Sequence, residues 1–285
     1  MALEMEVTKE VDMEIVIDVP KGGRLLAYCR FMGAAMQVNF KSVMEYRVNF
    51  VIQFFGMMLN NAAFALFWAV LIGRAGLVGG YGFIDIMFIW ALVSTSFGLA
   101  HILAGNVRMI GRIVMEGGLD VYLLQPKDVM LNLLASRTIV SAWGDFAYGF
   151  IVMALLPGTD LSAIVLFCSL ALPGALIFTA TFAAAESLVF FMGNSQALSS
   201  ALTEFLLSFS LYPEGVFGKS YRWVLYSIIP SGFIAFMPLR IFRALDWPLV
   251  PLLWGVALVY ATLSYCLFSA GLRRYESGNR MDVRI

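Results

Sequence analysis

Residues 213–247 read PEGVFGKSYRWVLYSIIPSGFIAFMPLRIFRALDW, and their reading sets the number of membrane crossings. Trp223 to Leu239 is apolar but short, and Pro230, Ser231, Gly232 and Pro238 interrupt it. A spanning helix needs about 20 mostly apolar residues, because the hydrocarbon core is about 30 Å thick and each residue rises about 1.5 Å. Counted as a span, the stretch makes seven crossings; counted as a hairpin that dips in and returns, it leaves six. Charge decides between them, since cytoplasmic loops are enriched in Lys and Arg. Lys21, Arg24, Arg30, Lys41 and Arg47 precede the first span; Arg108, Arg112 and Lys127 follow the second; Arg273, Arg274, Arg280 and Arg284 close the chain. All three groups share one side only if the number of spans is even. The expectation is an all-α integral membrane protein with six transmembrane helices and cytoplasmic N- and C-termini. Residues 213–247 are then a pair of outer-face re-entrant helices. Lys219, Arg222, Arg240 and Arg243 lie outside in this reading, against the charge rule. Broken backbone is tolerated at membrane depth where it is buried in protein or lines a cavity.

Composition requires the membrane. Of 285 residues, 61% are hydrophobic and 13% charged, against roughly 45–50% and about 25% in a soluble domain. The surplus apolar surface must face lipid. Four charge-free runs lie between Arg47 and Arg74, between Asp85 and Arg108 (with His101 inside it), between Asp160 and Glu186, and between Asp246 and Arg273. Two less clean spans are expected at 130–156, carrying Arg137 and Asp145, and at 195–212, carrying Glu204. A formal net charge of zero gives no basic field for nucleic acid.

Intramembrane charge is expensive, so each such group needs a partner. Arg137 and Glu186 stand at similar depth on consecutive antiparallel spans and are expected to pair. Asp145 and Glu204 lie deeper, where they line a polar seam or only fix helix packing. His101 is expected to hydrogen-bond a neighbouring helix. Cys29, Cys168 and Cys266 are scattered, without metal-ligand or disulfide spacing, and read as small buried hydrophobes. No phosphate-binding Gly-Lys-Ser/Thr loop, HExxH or GxSxG motif occurs, so a non-catalytic chain is expected, with no cofactor and no metal bound.

Three segments outside the spans carry more information. Residues 1–20 are acidic and read as a cytosolic tail. Residues 21–47 alternate basic and apolar groups, with Arg24, Arg30, Lys41 and Arg47 facing anionic headgroups, and form an amphipathic helix lying on the membrane lipids. In the inner loop, NVRMIGRIVMEGGLDVYLLQPKD (106–128), Arg108, Arg112 and Glu116 fall at i, i+4 and i+8 on a short helix continuing the second span. Gly117 and Gly118 stop it. Leu119 to Leu124, with Asp120 among them, then form an apolar patch. A charged helix, a glycine break and an apolar knob suit a soluble partner.

The phrase RxxxRxxxEGGLDVYLLQP (Arg108 to Pro126), RVNF at the start of the first span and GLRRYESGN (Gly271 to Asn279) resemble permease subunits of type-2 ABC exporters, in the subgroup of six-span permeases whose substrate is mostly unassigned. The resemblance covers residues 24–280. It implies a transmembrane domain over 48–272, flanked by the interface helix and a basic cytosolic tail at 273–285. It further implies a second permease subunit, the same or related, and soluble ATP-binding cassette subunits that bind ATP and Mg. Residues 108–120 would be the coupling helix that enters the ATPase. The location implied is the cell (plasma or inner) membrane of a prokaryote. The rival reading is a proton- or ion-coupled secondary transporter with Asp145, Glu186 and Glu204 as its relay. Such proteins usually carry more spans and paired broken helices.

Overall fold

The computed structural model describes residues 24–275. The tail at 1–20 and the chain after Tyr275 lie outside the described residues. Thirteen α-helices are described, α1 Arg24–Glu45, α2 Arg47–Ala75, α3 Phe83–Leu103, α4 Ile110–Met115, α5 Asp120–Leu123, α6 Val129–Ala135, α7 Ala142–Leu155, α8 Leu161–Ser187, α9 Val189–Met192, α10 Gln196–Leu211, α11 Arg222–Leu225, α12 Met237–Ala244 and α13 Val250–Leu272. No strand occurs among the described residues. The chain divides into two compact units, Met1–Ala35 and Met36–Ile285. Of the first, the described part is the start of α1, where Leu26 and Tyr28 are exposed. The packing that follows is that of the second.

Among the described residues, four helical segments are long and apolar enough to cross a membrane: Arg47–Ala75, Phe83–Leu103, Leu161–Met192 and Trp247–Leu272. They divide by burial. α3 is almost wholly enclosed, with α7 and α8 against it, and α8 in turn carries α10 and α13. α2 and α13 are largely exposed, presenting Val48, Ile52, Phe55 and Leu59 on one and Leu252, Leu258, Val259 and Leu263 on the other. Apolar side chains exposed on a spanning helix face lipid or a neighbouring membrane chain, so the burial pattern of a soluble core does not apply. That also corrects the reading of the cysteines: Cys29 and Cys266 are exposed and Cys168 is half-buried.

Helices approach closely where side chains are small. A Cβ on Gly98 of α3 would stand 2.6 Å from Phe146 N and 2.7 Å from Ala142 O of α7. One on Gly144 would stand 2.5 Å from Phe54 O of α2. This is the small-residue packing by which helices associate in lipid, where the hydrophobic effect gives no drive.

Contacts gather the connections into two sets. In one, Asn39 Nδ2 donates to Ala135 O at 2.9 Å, Glu186 accepts from Gly111 N–H at 3.0 Å, and Tyr275 donates to Asp120 at 3.0 Å. In the other, the turn at Gly79 packs on Gly215, and Asp85, Pro157, Gly158, Asp160 and Arg243 line one cavity of about 290 Å³. Asp160 caps α8 by accepting from Ala163 N–H at 2.8 Å, which holds its carboxyl below the usual range.

The expected continuous span 130–156 is instead two helices, α6 and α7, broken over 136–141. The broken backbone is satisfied from α3: Gly105 N–H donates to Arg137 O at 3.0 Å, and Ile139 N–H to His101 O at 3.2 Å. Arg137 falls in the break and is exposed, so it does not form the expected pair with Glu186. Nor does the second span run on into the loop, since α3 ends at Leu103 and a turn at 104–106 precedes the next helical residues.

Candidate functional site

The 106–128 loop begins with a 3-10 turn at Val107–Met109, followed by α4. Gly117 ends α4 with φ +73°, a conformation that disfavours any residue with a Cβ. Gly117 N–H bonds to Val114 O at 3.2 Å and Gly118 N–H to Ile113 O at 2.9 Å. These two bonds make a Schellman cap that turns the chain sharply into α5. Arg112 and Glu116 pair across one turn at 3.9 Å, on the exposed surface. Arg108 departs from that face and meets Glu204 of α10 at 3.7 Å. Glu204 is therefore exposed and opposite the loop, and it does not line a seam with Asp145.

Glu186, 3% exposed at the end of α8, accepts the Gly111 N–H bond. A Cβ on Gly111 would stand 2.8 Å from its Oε2. Leu119 is fully buried and belongs to the core, which corrects its place in the apolar patch. The patch itself remains: Val121 is 62% exposed and Leu124 87%, with Leu123 beside them. The loop is thus tied to α8 by Glu186, to α10 by Glu204 and to the end of α13 by the Asp120–Tyr275 bond.

The second set of connections holds the basic residues of 213–247. Glu214, 3% exposed, has Arg222 Nε 3.6 Å away and accepts from Arg240. Arg243 Nε donates to Asp85 at 2.7 Å, and its guanidinium lies 5.3 Å from the Tyr81 ring centroid. Burial first, then the Glu214 carboxylate, push the Tyr81 phenol above its usual range, so it stays neutral beneath the cation. Three cations thus share two carboxylates, Arg222 and Arg240 at Glu214 and Arg243 at Asp85. Glu214→Gln will lower the thermal midpoint of the detergent-solubilised protein, by about 1–3 kcal/mol in stability, because two guanidinium groups lose an ionised acceptor. Arg222→Gln will lose less, its Nε being the more distant. An unchanged midpoint in the Glu214 variant would exclude the cluster as a stabilising element.

Between α2, α3, α7 and α10 lies a cavity of about 250 Å³ lined by Phe64, Trp68, Trp90, Phe97 and Tyr212. Asn61, Ser94, Ser208 and Asp145 supply its polar groups. Asp145 is 3% exposed; its Oδ1 accepts from Asn61 Nδ2 at 2.7 Å, and no cation pairs with it among the described residues. Trp90 Nε1 is buried there without a hydrogen-bond partner. The sequence singled out Asp145 by its depth, but Asn61 and the aromatic wall were not legible, since they sit in runs that read only as apolar. The His101 ring packs against Phe182 of α8 but makes its hydrogen bond within its own helix, its Nδ1 lying 3.0 Å from Phe97 O of the preceding turn.

Long apolar helices wrapped around a buried α3, with a capped loop projecting between them, define a multi-pass helical membrane protein. A family model described as an ABC-2 family transporter protein matches residues 55–278. The chain belongs to that family and is an ABC transporter permease, the membrane component of the transport system. The match begins within α2 and leaves α1 before it. No curated protein and no solved structure matches the chain.

Proposed function

We propose that the chain is one permease subunit of an ATP-driven exporter, crossing the membrane six times and pairing with a second permease subunit. α2, α3, the α6–α7 pair, α8, α10 and α13 are the crossings, and residues 213–247 stay on the outer side. Separate ATP-binding cassette subunits hold ATP and Mg and bind the 106–128 loop; the membrane helices share no part in hydrolysis. The observation that carries this reading is the loop itself. It exposes an apolar tip at Val121 and Leu124 while three polar ties join it to α8, α10 and α13.

The ties supply a route for coupling. An ATPase can shift the membrane part only through contacts that differ between its two states. Displacement of the loop pulls on α10 through Arg108–Glu204, and α10 lines the aromatic cavity with Leu207, Ser208, Leu211 and Tyr212. That cavity suits an amphiphilic substrate, with Asp145 as its polar anchor. Asp145→Asn is expected to reduce substrate-stimulated ATPase activity at least tenfold while leaving the basal rate and the level of ATPase co-purified unchanged. Equal stimulation in wild type and variant would remove Asp145 from the pathway.

The decisive experiment is reconstitution of the purified chain in proteoliposomes with and without its ATPase subunits. Transport only with ATPase and ATP supports the proposal. Gradient-driven transport by the permease alone would establish the secondary-transporter reading. Geometry weighs against that rival, because the three acids of the supposed relay are dispersed. Glu186 is committed to Gly111, Glu204 is exposed beside Arg108, and Asp145 alone lines the cavity.

A further inference from the structure

A second cavity, of about 230 Å³, lies where the later turns of α1 meet the end of α3 and the break before α7. Its walls are Met36, Phe40 and Ile102, which are apolar, and Gln37, Asn39, Thr138 and Trp143, which are not. Trp143 Nε1 and Thr138 Oγ1 are both buried without a hydrogen-bond partner. An orphaned buried donor costs about 1–3 kcal/mol, so two at one cavity require an explanation. An indole N–H can only donate. Whatever satisfies it must present an acceptor oxygen.

Charge narrows the choice. Lys41 follows Phe40 and Arg137 precedes Thr138; both are exposed, and neither forms an ion pair among the described residues. The cavity therefore offers two unpartnered neutral donors and the carboxamides of Gln37 and Asn39 inside, with two cations in the flanking sequence. Its apolar walls at Met36, Phe40 and Ile102 suit the glycerol and first methylenes of a lipid better than a free inorganic ion.

We propose that this cavity is a binding site for an anionic phospholipid, whose phosphate or ester oxygens accept hydrogen bonds from Trp143 Nε1 and Thr138 Oγ1. The lipid joins the later turns of α1 to the end of α3 and the α6–α7 break. This site is separate from the aromatic cavity, and it stands whether or not the transport proposal does.

The test uses the full chain, delipidated in mild detergent. Its thermal midpoint is measured on addition of phosphatidylglycerol, of phosphatidylcholine, or of inorganic phosphate. Phosphatidylglycerol is expected to raise the midpoint at the lowest concentration. Thr138→Val with Trp143→Phe should raise the concentration needed about tenfold, the loss of two hydrogen bonds of ordinary strength. Thr138→Ser, which keeps the hydroxyl, should bind as the wild type does. Because Trp143→Phe preserves a ring against Phe40, its lipid-free midpoint serves as the check on folding. Binding unchanged in the double variant would overturn the site. An equal response to inorganic phosphate would overturn the lipid assignment, and an equal response to phosphatidylcholine would overturn the requirement for an anionic headgroup.

Discussion

Gly149→Ile will abolish recovery of folded protein from detergent extracts, whereas Gly255→Ile will leave it near the wild-type level. A Cβ at Gly149 of α7 would overlap Thr95 Oγ1 and Ala91 O of α3, both inside the most enclosed helix pair of the bundle. Neither atom can retreat. Ala91 O belongs to the α3 backbone, and Thr95 is 1% exposed. A β-branched side chain must force the helices apart, removing the contact along their whole length, including the approach at Gly98. Overpacking costs about 1–3 kcal/mol where neighbours can shift; here the expected loss is about 3 kcal/mol or more, against a total stability on the order of 5–15 kcal/mol. At Gly255 of α13 an added Cβ meets nothing within 4 Å. Size-exclusion profiles of the two variants provide the comparison. A monodisperse Gly149→Ile protein would show that the α3–α7 approach is not a fixed contact.

The second large effect concerns the loop tip. Val121→Asp with Leu124→Asp should cut the amount of co-purifying ATPase about tenfold or more, with membrane insertion unaffected. The two side chains are exposed in the chain alone, so their replacement costs its fold little. In a complex they would be buried apolar contacts, and fully burying a Val or Leu side chain contributes about 1.5–3 kcal/mol. Leu119→Asp, two residues earlier, separates the alternatives, because Leu119 is buried and its replacement damages the fold itself. If the tip variant retains full ATPase, the partner docks elsewhere. Glu116→Gln, which breaks only a surface pair with Arg112, should leave docking intact and weaken the link between hydrolysis and transport. Surface pairs of this kind contribute about 0–1 kcal/mol to stability.

Much of this architecture is legible in hydropathy. The four charge-free runs each became a long helix, because nothing competes with a continuous apolar stretch of about 20 residues for a bilayer. The loop glycines were legible for a similar reason: a Gly-Gly pair after a helical run is a local signal, and Gly117 adopts the positive φ that it implies. Charge pairing was not legible. The expected Arg137–Glu186 pair assumed an unbroken helix, and no local signal in 130–141 reports that α3's end supplies hydrogen bonds for a break. Glu214 is not distinguishable in the sequence, because its neighbours look like an ordinary loop. Its burial depends on Arg222 and Arg240, which only tertiary structure brings near. The aromatic cavity was hidden in the same way, since Phe64, Trp68 and Trp90 at helical spacing are indistinguishable from lipid-facing residues.

The break between α6 and α7 has a consequence for how the protein is made. At about 1.5 Å per residue, α7 reaches roughly 21 Å and α6 roughly 10 Å. Neither crosses about 30 Å of hydrocarbon alone. On the proposed six-crossing reading they do so together, with a kink in which Arg137 O and Ile139 N–H lack partners in the segment itself. Those partners are His101 O and Gly105 N–H at the end of α3. A nascent α6–α7 pair leaving the translocation machinery before α3 is in place would expose unpaired peptide groups to lipid, at several kcal/mol each. Chain order prevents this, because α3 is synthesised first and is waiting. On the proposed six-crossing reading the third crossing is therefore templated by the second, and moving these two segments apart in the gene would disrupt biogenesis even if every residue were retained.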